Sequence, residues 1–213
     1  MKCLYACGDS WTWGDEIPES ASRYYNTWPW FLSQNLGIPL CVNQAASASS
    51  NDRIFRKTTN FIYDWVGKGR SPIELMIVVG WTAPERTEVA GKDGYYRLTS
   101  SYRVNEIDDY WREYYKIYND SKGQEKTLGY MINLRMLCKG LGISYYDFVS
   151  IGNRPGEYQK LAYKKFNLPI TNMYPTYTWN DYIQLHDHTL YEFKHPTIDS
   201  HQLWASELAR ILA

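Results

Sequence analysis

The sequence predicts a three-layer α/β/α sandwich built on a doubly wound parallel sheet. Apolar runs of strand length alternate with amphipathic stretches of helical period along the chain. The run from Ile73 to Val79 is apolar almost throughout and lies between Pro72 and Gly80, which is typical of a central parallel strand buried on both faces. At 213 residues the chain has the length of one domain, so we expect a single domain over residues 1–213.

Each predicted element is bounded by local signals. We expect strands at about residues 2–7, 38–42, 73–79 and 143–149. We expect helices at about residues 27–36, 51–66, 128–141 and 198–212. Thr27 and Ser50 are candidate N-caps of the first two helices, and Gly142 follows the third.

Two aromatic-rich segments, at about residues 81–126 and 150–182, interrupt this alternation. Each follows a predicted strand, so each should emerge at the carboxyl edge of the sheet, where α/β folds bind ligands. We interpret them as insertions that wall a site rather than as separate domains. Tyrosine, of which the chain has 20, suits surfaces that are both packed and hydrated.

The composition excludes several classes of function. Lys plus Arg and Asp plus Glu both total 23, so the formal net charge is zero and no nucleic-acid partner is expected. The longest apolar run is too short to span a bilayer, and no signal peptide is recognisable, so we expect a cytoplasmic protein without a membrane partner. The four cysteines lie in apolar stretches, as is typical of reduced core thiols: Cys3, Cys7, Cys41 and Cys138.

The most informative motif is Gly8-Asp9-Ser10, directly behind the first predicted strand. It places a serine at the carboxyl edge of the sheet, although Asp9 and Ser10 also suit a helix cap. Near the other end of the chain, Glu192 stands three residues before His195. A serine becomes a nucleophile when a histidine accepts its proton. We therefore expect the two chain ends to meet, with a serine, a histidine and an acid in one site.

Two further blocks lie between these ends. The segment from Asn43 to Asn51 follows the second strand, and Gly80-Trp81-Thr82 ends the third. In order and placement the four blocks resemble those of the SGNH/GDSL hydrolase family, over nearly the whole chain. The resemblance implies a flavodoxin-like fold and a serine esterase that needs no metal or organic cofactor.

Transferred position by position, the resemblance implies that Ser10 is the nucleophile, His195 the general base and Glu192 the acid that orients the imidazole. It implies an oxyanion hole formed by the backbone N–H groups of Ser10 and Ala48 and the side chain of Thr82. Three positions depart from the family pattern. Ala48 replaces a usual Gly, Thr82 a usual Asn, and Glu192 the commoner Asp. Asp187 is the next candidate for the acid.

The surrounding residues favour an ester of a carbohydrate. Four of them are candidate substrate-binding residues: Asp9, Asn51, Trp81 and Arg86. An arginine here either binds a substrate carboxylate or sugar hydroxyls, or pairs with Glu85 or Glu88. Tyr and Trp at the mouth of a site suit stacking on sugar rings. We therefore expect a carbohydrate O-acetyl esterase that acts on a small-molecule or glycan ester through an acyl-Ser10 intermediate.

Three alternatives stay open. A lipase or thioesterase for longer acyl chains would need a continuous apolar groove at Ser10. A non-catalytic glycan-binding module would keep the fold after Ala48 and Thr82 had diverged. A metal-dependent hydrolase would use a cluster of histidines and aspartates near the C-terminus: His186, Asp187, His188, His195, Asp199 and His201.

Overall fold

The computed structural model describes residues 1–92, 94–99, 108–152, 157–158, 160–162, 177–186 and 189–212. Four strands form a parallel sheet: β1 (Cys3–Cys7), β2 (Leu40–Asn43), β3 (Leu75–Trp81) and β6 (Ser144–Val149). Their order is β2-β1-β3-β6, and the chain reverses direction across the sheet after β2, as expected for a doubly wound fold. Two further strands, β4 (Thr87–Gly91) and β5 (Gly94–Leu98), form a separate antiparallel hairpin.

Helices cover both faces of the sheet. They are α1 (Ser10–Trp13), α2 (Trp28–Asn35), α3 (Asn51–Gly67), α4 (Asp108–Ile117), α5 (Asp120–Leu141), α6 (Trp179–Leu185) and α7 (Ile198–Leu212). One apolar cluster joins α3 and α5 to one face, and a second joins α2, α6 and α7 to the other. The predicted α/β/α sandwich is therefore confirmed.

The side chains of β1 show how the sheet is buried on both faces. Cys3 and Tyr5 point into the α3–α5 cluster, and Leu4 and Ala6 point into the opposite one. This alternation follows from the two-residue period of a strand, and both sets are fully buried. All four cysteines are buried and unpaired, as the sequence predicts.

Helix boundaries follow the predicted caps with two exceptions. The Ser50 side chain accepts a hydrogen bond from the backbone N–H of Arg53 at 3.2 Å, as an N-cap does. Thr27 precedes α2, but its hydroxyl makes no capping hydrogen bond. Helix α5 begins at Asp120 rather than near residue 128, because the Asn119 side chain caps it there.

The first insertion folds into the β4–β5 hairpin, α4 and the start of α5, none of which the sequence pattern predicts in detail. The second insertion is described at only a few positions, which include α6, and residues 153–156, 159 and 163–176 lie outside the described part. Within the described ranges, no helix is both long enough and apolar enough to cross a membrane.

Candidate active site

Ser10 is the first residue of α1, directly after β1, and is 8% exposed. Asp9 is the N-cap, since its Oδ1 accepts a hydrogen bond from the backbone N–H of Trp11 at 3.1 Å. The strand-to-helix turn is tight, because a Cβ at Gly8 would lie 2.2 Å from Thr12 Oγ1. Glycine at this position therefore lets the turn present the serine at the carboxyl edge of the sheet.

His195 reaches the same edge from the other end of the chain, where Glu16 binds it. Glu16 Oε2 lies 2.7 Å from His195 Nδ1 and also accepts from the His195 backbone N–H at 3.2 Å. Glu16 Oε1 accepts from the backbone N–H of Phe193 at 2.9 Å. A carboxylate can only accept hydrogen bonds, so Nδ1 carries a proton, and in the neutral form of the ring Nε2 presents its lone pair.

The Glu16 carboxylate is adapted to remain ionised. Partial burial raises its pKa, but the hydrogen bonds from the Phe193 backbone and from His195 outweigh that effect and lower the pKa below its ordinary value. Both sides of this junction use left-handed backbone, with φ of 65° at Glu16 and 68° at Lys194. Such conformations are unfavourable for residues with a side chain and are often found at functional sites.

Glu192 does not contact His195, so the prediction that it supplies the acid is wrong. Residues 191–195 form a tight turn in which Lys194 N–H donates to the Tyr191 carbonyl at 3.0 Å. Glu192 lies exposed on this turn, while the imidazole Nδ1 is occupied by Glu16. The other candidate, Asp187, lies outside the described residues.

Ser10 and His195 line one cavity of about 740 Å³, so the two ends of the chain do meet. No hydrogen bond joins these two side chains in the described structure. His195 Nε2 lies 3.9 Å from Asp15 Oδ2, and the Asp15 carboxylate accepts hydrogen bonds from Ser47 Oγ at 2.5 and 2.6 Å. Unliganded catalytic sites often show such loose contacts, which tighten when substrate binds.

The loop after β2 brings Ala48 to the cavity wall with a φ of 55°. The Asn43 amide holds the start of this loop, since it donates to the Thr12 carbonyl at 2.9 Å and accepts from the Ala45 backbone N–H at 3.1 Å. Glycine suits this position because the backbone there is left-handed. An alanine in this conformation lowers the free energy of unfolding by about 1–2 kcal/mol relative to an unstrained residue. The roles of the Ser10 and Ala48 N–H groups as oxyanion donors stay predictions.

Thr82 and Asn51 differ from their predicted roles, because both are buried beneath the site, where the Asn51 side chain binds the Thr82 backbone. The Thr82 backbone N–H donates to Asn51 Oδ1, and Asn51 Nδ2 donates to the Thr82 carbonyl, both at 2.9 Å. Asn51 Nδ2 also contacts Thr127 Oγ1 at 3.0 Å. Thr82 and Asn51 are almost fully buried and do not line the cavity. They therefore hold the loop after β3 in place rather than facing a ligand.

Trp81 and Asp9 are also buried away from the cavity, contrary to their prediction as substrate-binding residues. Trp81 belongs to the core, where its Nε1 donates to Asp147 Oδ2 at 3.0 Å. Asp9 caps α1, and its second oxygen lies 3.8 Å from Arg86 Nη1. Arg86 is the one predicted substrate-binding residue that lines the cavity.

The C-terminal histidines do not form a cluster in the described structure. His201 is fully buried and its Nδ1 accepts a hydrogen bond from the backbone N–H of Trp28 at 3.1 Å. Burial, reinforced by His195, lowers the pKa of His201 to about 3, so this ring is neutral. Asp187 and His188 lie outside the described ranges, within which no group of three potential ligands is placed to hold a metal ion.

The sequence gives no specific signal for one wall of the cavity. Residues of the β4–β5 hairpin and just beyond it form this wall: Tyr95, Tyr96, Arg97 and Thr99. All four residues belong to the first aromatic-rich segment, at about residues 81–126. Glu16 was missed for a different reason, since a single carboxylate six positions after a serine matches no recognised spacing.

The profile of a family described as "Family of unknown function (DUF6071)" matches residues 15–163. The chain belongs to the DUF6071 family. The matched range includes Glu16 and Ala48 and excludes Ser10 and His195. No curated protein matches this DUF6071 sequence.

Solved structures resemble the DUF6071 protein over nearly its whole length. A member of the lipolytic protein G-D-S-L family from Veillonella parvula is 12% identical, with 99% of this chain and 98% of that chain covered and a TM-score of 0.53. The psychrotrophic esterase EstA from Pseudoalteromonas sp. is 10% identical, with 100% and 97% covered and a TM-score of 0.54. The acetyl xylan esterase AlAXEase is 11% identical, with 99% and 100% covered and a TM-score of 0.51. The DUF6071 chain therefore has the SGNH/GDSL hydrolase fold.

Proposed function

We propose that this protein is a serine hydrolase of carboxylic esters, with Ser10 as nucleophile, His195 as general base and Glu16 as the acid that orients the imidazole. The observation that carries the proposal is the Glu16–His195 hydrogen bond at the wall of the cavity that Ser10 also lines. The fold shared with lipolytic proteins and esterases supports it.

The reaction would follow from these positions. His195 Nε2 takes the Ser10 hydroxyl proton while Oγ attacks the ester carbonyl, and the imidazolium then gives the proton to the leaving alcohol oxygen. Water, deprotonated by the same nitrogen, attacks the acyl-Ser10 ester and releases the carboxylic acid and free Ser10. The imidazolium would lie between the carboxylates of Glu16 and Asp15, which stabilise its charge.

The developing oxyanion would be bound by the backbone N–H groups of Ser10 and Ala48. One such donor commonly contributes about 10²–10³ in rate. The Thr82 hydroxyl is not available for this role, because the residue is fully buried and does not line the cavity. The hole would therefore rest on two backbone donors.

The cavity wall favours a small acyl group on a carbohydrate, and a carbohydrate O-acetyl ester is the substrate we propose. Charged side chains of Asp15, Arg86, Arg97 and Lys194 line the cavity, so it lacks the continuous apolar groove that long acyl chains require. Tyr95 and Tyr96 provide rings that suit contact with a sugar. A similar structure is named an acetyl xylan esterase.

Hydrolysis of p-nitrophenyl acetate tests the reaction. Ser10→Ala and His195→Ala should each lower kcat by about 10³-fold or more, because nucleophile and base act as a unit. A control variant at an exposed serine, Ser20→Ala, should have the kcat of the wild type. A fluorophosphonate should label Ser10, as detected by mass spectrometry of the peptide. Undiminished hydrolysis by Ser10→Ala would overturn the proposal.

A non-catalytic glycan-binding module is the second candidate. The burial of Thr82 favours it, because one oxyanion donor implied by the family resemblance is missing. Equal background rates for the wild type and Ser10→Ala, together with binding of an acetylated xylo-oligosaccharide, would select this function over the esterase.

A further inference from the structure

The cavity is richer in positive than in negative side chains. Arg86, Arg97 and Lys194 line it, and of the described lining residues only Asp15 brings a carboxylate. The whole chain has a formal net charge of zero, so this excess is local. Positive groups concentrated in a concave, partly buried surface attract anionic ligands more strongly than they would on an exposed surface.

The guanidinium of Arg86 has an unused hydrogen-bond donor. Its Nη1 is buried and has no hydrogen-bond partner among the described residues, and Asp9 Oδ2, at 3.8 Å, is too distant for a hydrogen bond. Burial raises the pKa of Asp9, with Arg86 acting in the opposite direction, so the carboxyl is a weakened counter-ion. Arg86 as a whole also lines the cavity, so its guanidinium keeps a positive charge at the cavity wall that this weakened counter-ion neutralises only in part.

Among the residues that the structure describes, no carboxylate forms a hydrogen bond or ion pair with Arg97. It lies opposite Glu88 in the β4–β5 register, but the Glu88 carboxylate is bound by Arg56 at 2.7 and 3.1 Å. Arg97 Nη1 donates instead to the Ser47 carbonyl at 2.5 Å. Burial and the like charge of Arg53 lower the pKa of Arg97, with Glu88 acting in the opposite direction. A guanidinium nevertheless remains charged at neutral pH.

Tyr95 is placed beside Arg97 to contact a sugar ring. The two residues stand two positions apart on β5, so their side chains leave the same face of the strand. The ring of Tyr95 is packed against the Arg56 guanidinium, 3.9 Å from the ring centroid, yet the residue is 54% exposed. The hairpin thus presents a supported aromatic ring next to a guanidinium that has no carboxylate partner in the described part of the chain.

We propose that the cavity selects esters of an anionic sugar, whose carboxylate, sulfate or phosphate binds Arg97 and Arg86 while the sugar ring packs on Tyr95. The two-pronged guanidinium matches the paired oxygens of each of these groups. The ester part of this assignment rests on the proposed hydrolase function, which it extends by naming the substrate class.

Binding to the Ser10→Ala variant tests the assignment without requiring turnover. Isothermal titration calorimetry should use four ligands: glucuronate, glucose 6-sulfate, glucose 6-phosphate and glucose. At least one anionic sugar should bind ten times more tightly than glucose or better, and the ranking of the three identifies the anion. This advantage should shrink as NaCl is raised, because salt screens the charges. Equal binding of all four ligands would overturn the assignment.

Variants of Arg97, made in the Ser10→Ala background, locate the effect. Arg97→Gln should abolish most of the tighter binding of anionic sugars. Arg97→Lys should keep part of it, because the positive charge remains but the paired N–H donors of the guanidinium are lost. Arg210→Gln is the matched control on an exposed face of α7, and it should keep the full advantage. Circular dichroism melting checks that each variant is folded. An anionic preference that survives in Arg97→Gln would contradict the assignment.

A kinetic comparison separates this inference from the proposed function. The wild type should have a higher kcat/KM for an acetylated methyl glucuronide than for the matching acetylated methyl glucoside. If anionic sugars bind but neither ester nor p-nitrophenyl acetate is hydrolysed, the hydrolase function fails and the anionic site stands. If both esters are hydrolysed at equal kcat/KM, the hydrolase stands and the anionic selection fails.

Discussion

Two groups of residues occupy the same edge of the sheet and differ in their surroundings. Ser10, Ala48 and Arg86 reach the cavity, whereas Asp9 and Thr82, their close neighbours in sequence, are buried beneath it. Asp9 caps α1, and the backbone of Thr82 is held by the side chain of Asn51. The cavity-lining group is left to meet a ligand. A position at the carboxyl end of a strand therefore places a residue near the site. The local backbone conformation then decides whether its side chain lines the cavity or is buried beneath it.

The two glutamates near His195 give the sharpest test of this comparison. Glu16→Gln should lower kcat for p-nitrophenyl acetate by about 10²–10⁴-fold, because an amide no longer fixes the imidazole tautomer. Glu192→Gln is the matched control and should stay within about twofold of the wild type, since Glu192 is exposed. A larger loss in Glu192→Gln than in Glu16→Gln would reverse the assignment of the acid.

The histidine in the core, His201, should stay neutral over most of the acidic range, because burial lowers its pKa. With a pKa of about 3, His201 stays neutral in the folded state, whereas in the unfolded state it binds a proton below about pH 6.5. Folding stability should therefore fall by about 1.4 kcal/mol per pH unit from this group as pH drops from 6.5 towards 3.

Nuclear magnetic resonance of the imidazole protons checks this expectation directly. The His201 ring signals should not shift between pH 7 and pH 4, and urea unfolding should show the accompanying loss of stability. A His201 titration midpoint near 6.5 in the folded protein would rule out its role as a neutral core residue.

The buried polar group should respond to mutation mainly through stability. Asn51→Ala should lower the free energy of unfolding by about 1–3 kcal/mol, because the Thr82 backbone N–H and C=O lose their partners in a buried place. Asn133→Ala, on the exposed side of α5, should change it by less than about 0.5 kcal/mol. Urea denaturation measures both values, and equal losses would argue against a buried supporting role for Asn51.

Replacement by glycine should change the free energy of unfolding in opposite directions at two alanines in the loop after β2. Ala48→Gly should raise the free energy of unfolding by up to about 1 kcal/mol, because relief of the left-handed backbone exceeds the added entropy of the unfolded chain. Ala46→Gly, where φ is not positive, should lower it by about 0.5–1 kcal/mol. Thermal melts of the two variants provide the measurement, and destabilisation by both would contradict the strain at Ala48.

The sequence predicts the sheet and its main helices well, because apolar period and capping residues act locally. The strand expected at about residues 73–79 and found at Leu75–Trp81 is one example, and the Ser50 cap is another. It also locates the serine and the histidine, whose surroundings are recognisable blocks. It does not predict Glu16, because the contact with His195 joins residues 179 positions apart through two left-handed turns. Nor does it distinguish Thr82, which is buried, from Arg86, which faces the cavity.

The three hydrogen bonds accepted by Glu16 also fasten the last turn before α7 to the first loop of the chain. Orientation of the imidazole and closure of the two termini thus depend on one carboxylate. Local loss of these three hydrogen bonds would disrupt the candidate active site while the sheet stayed intact. In gentle denaturant, ester cleavage should accordingly vanish before the far-ultraviolet circular dichroism signal of the helices declines.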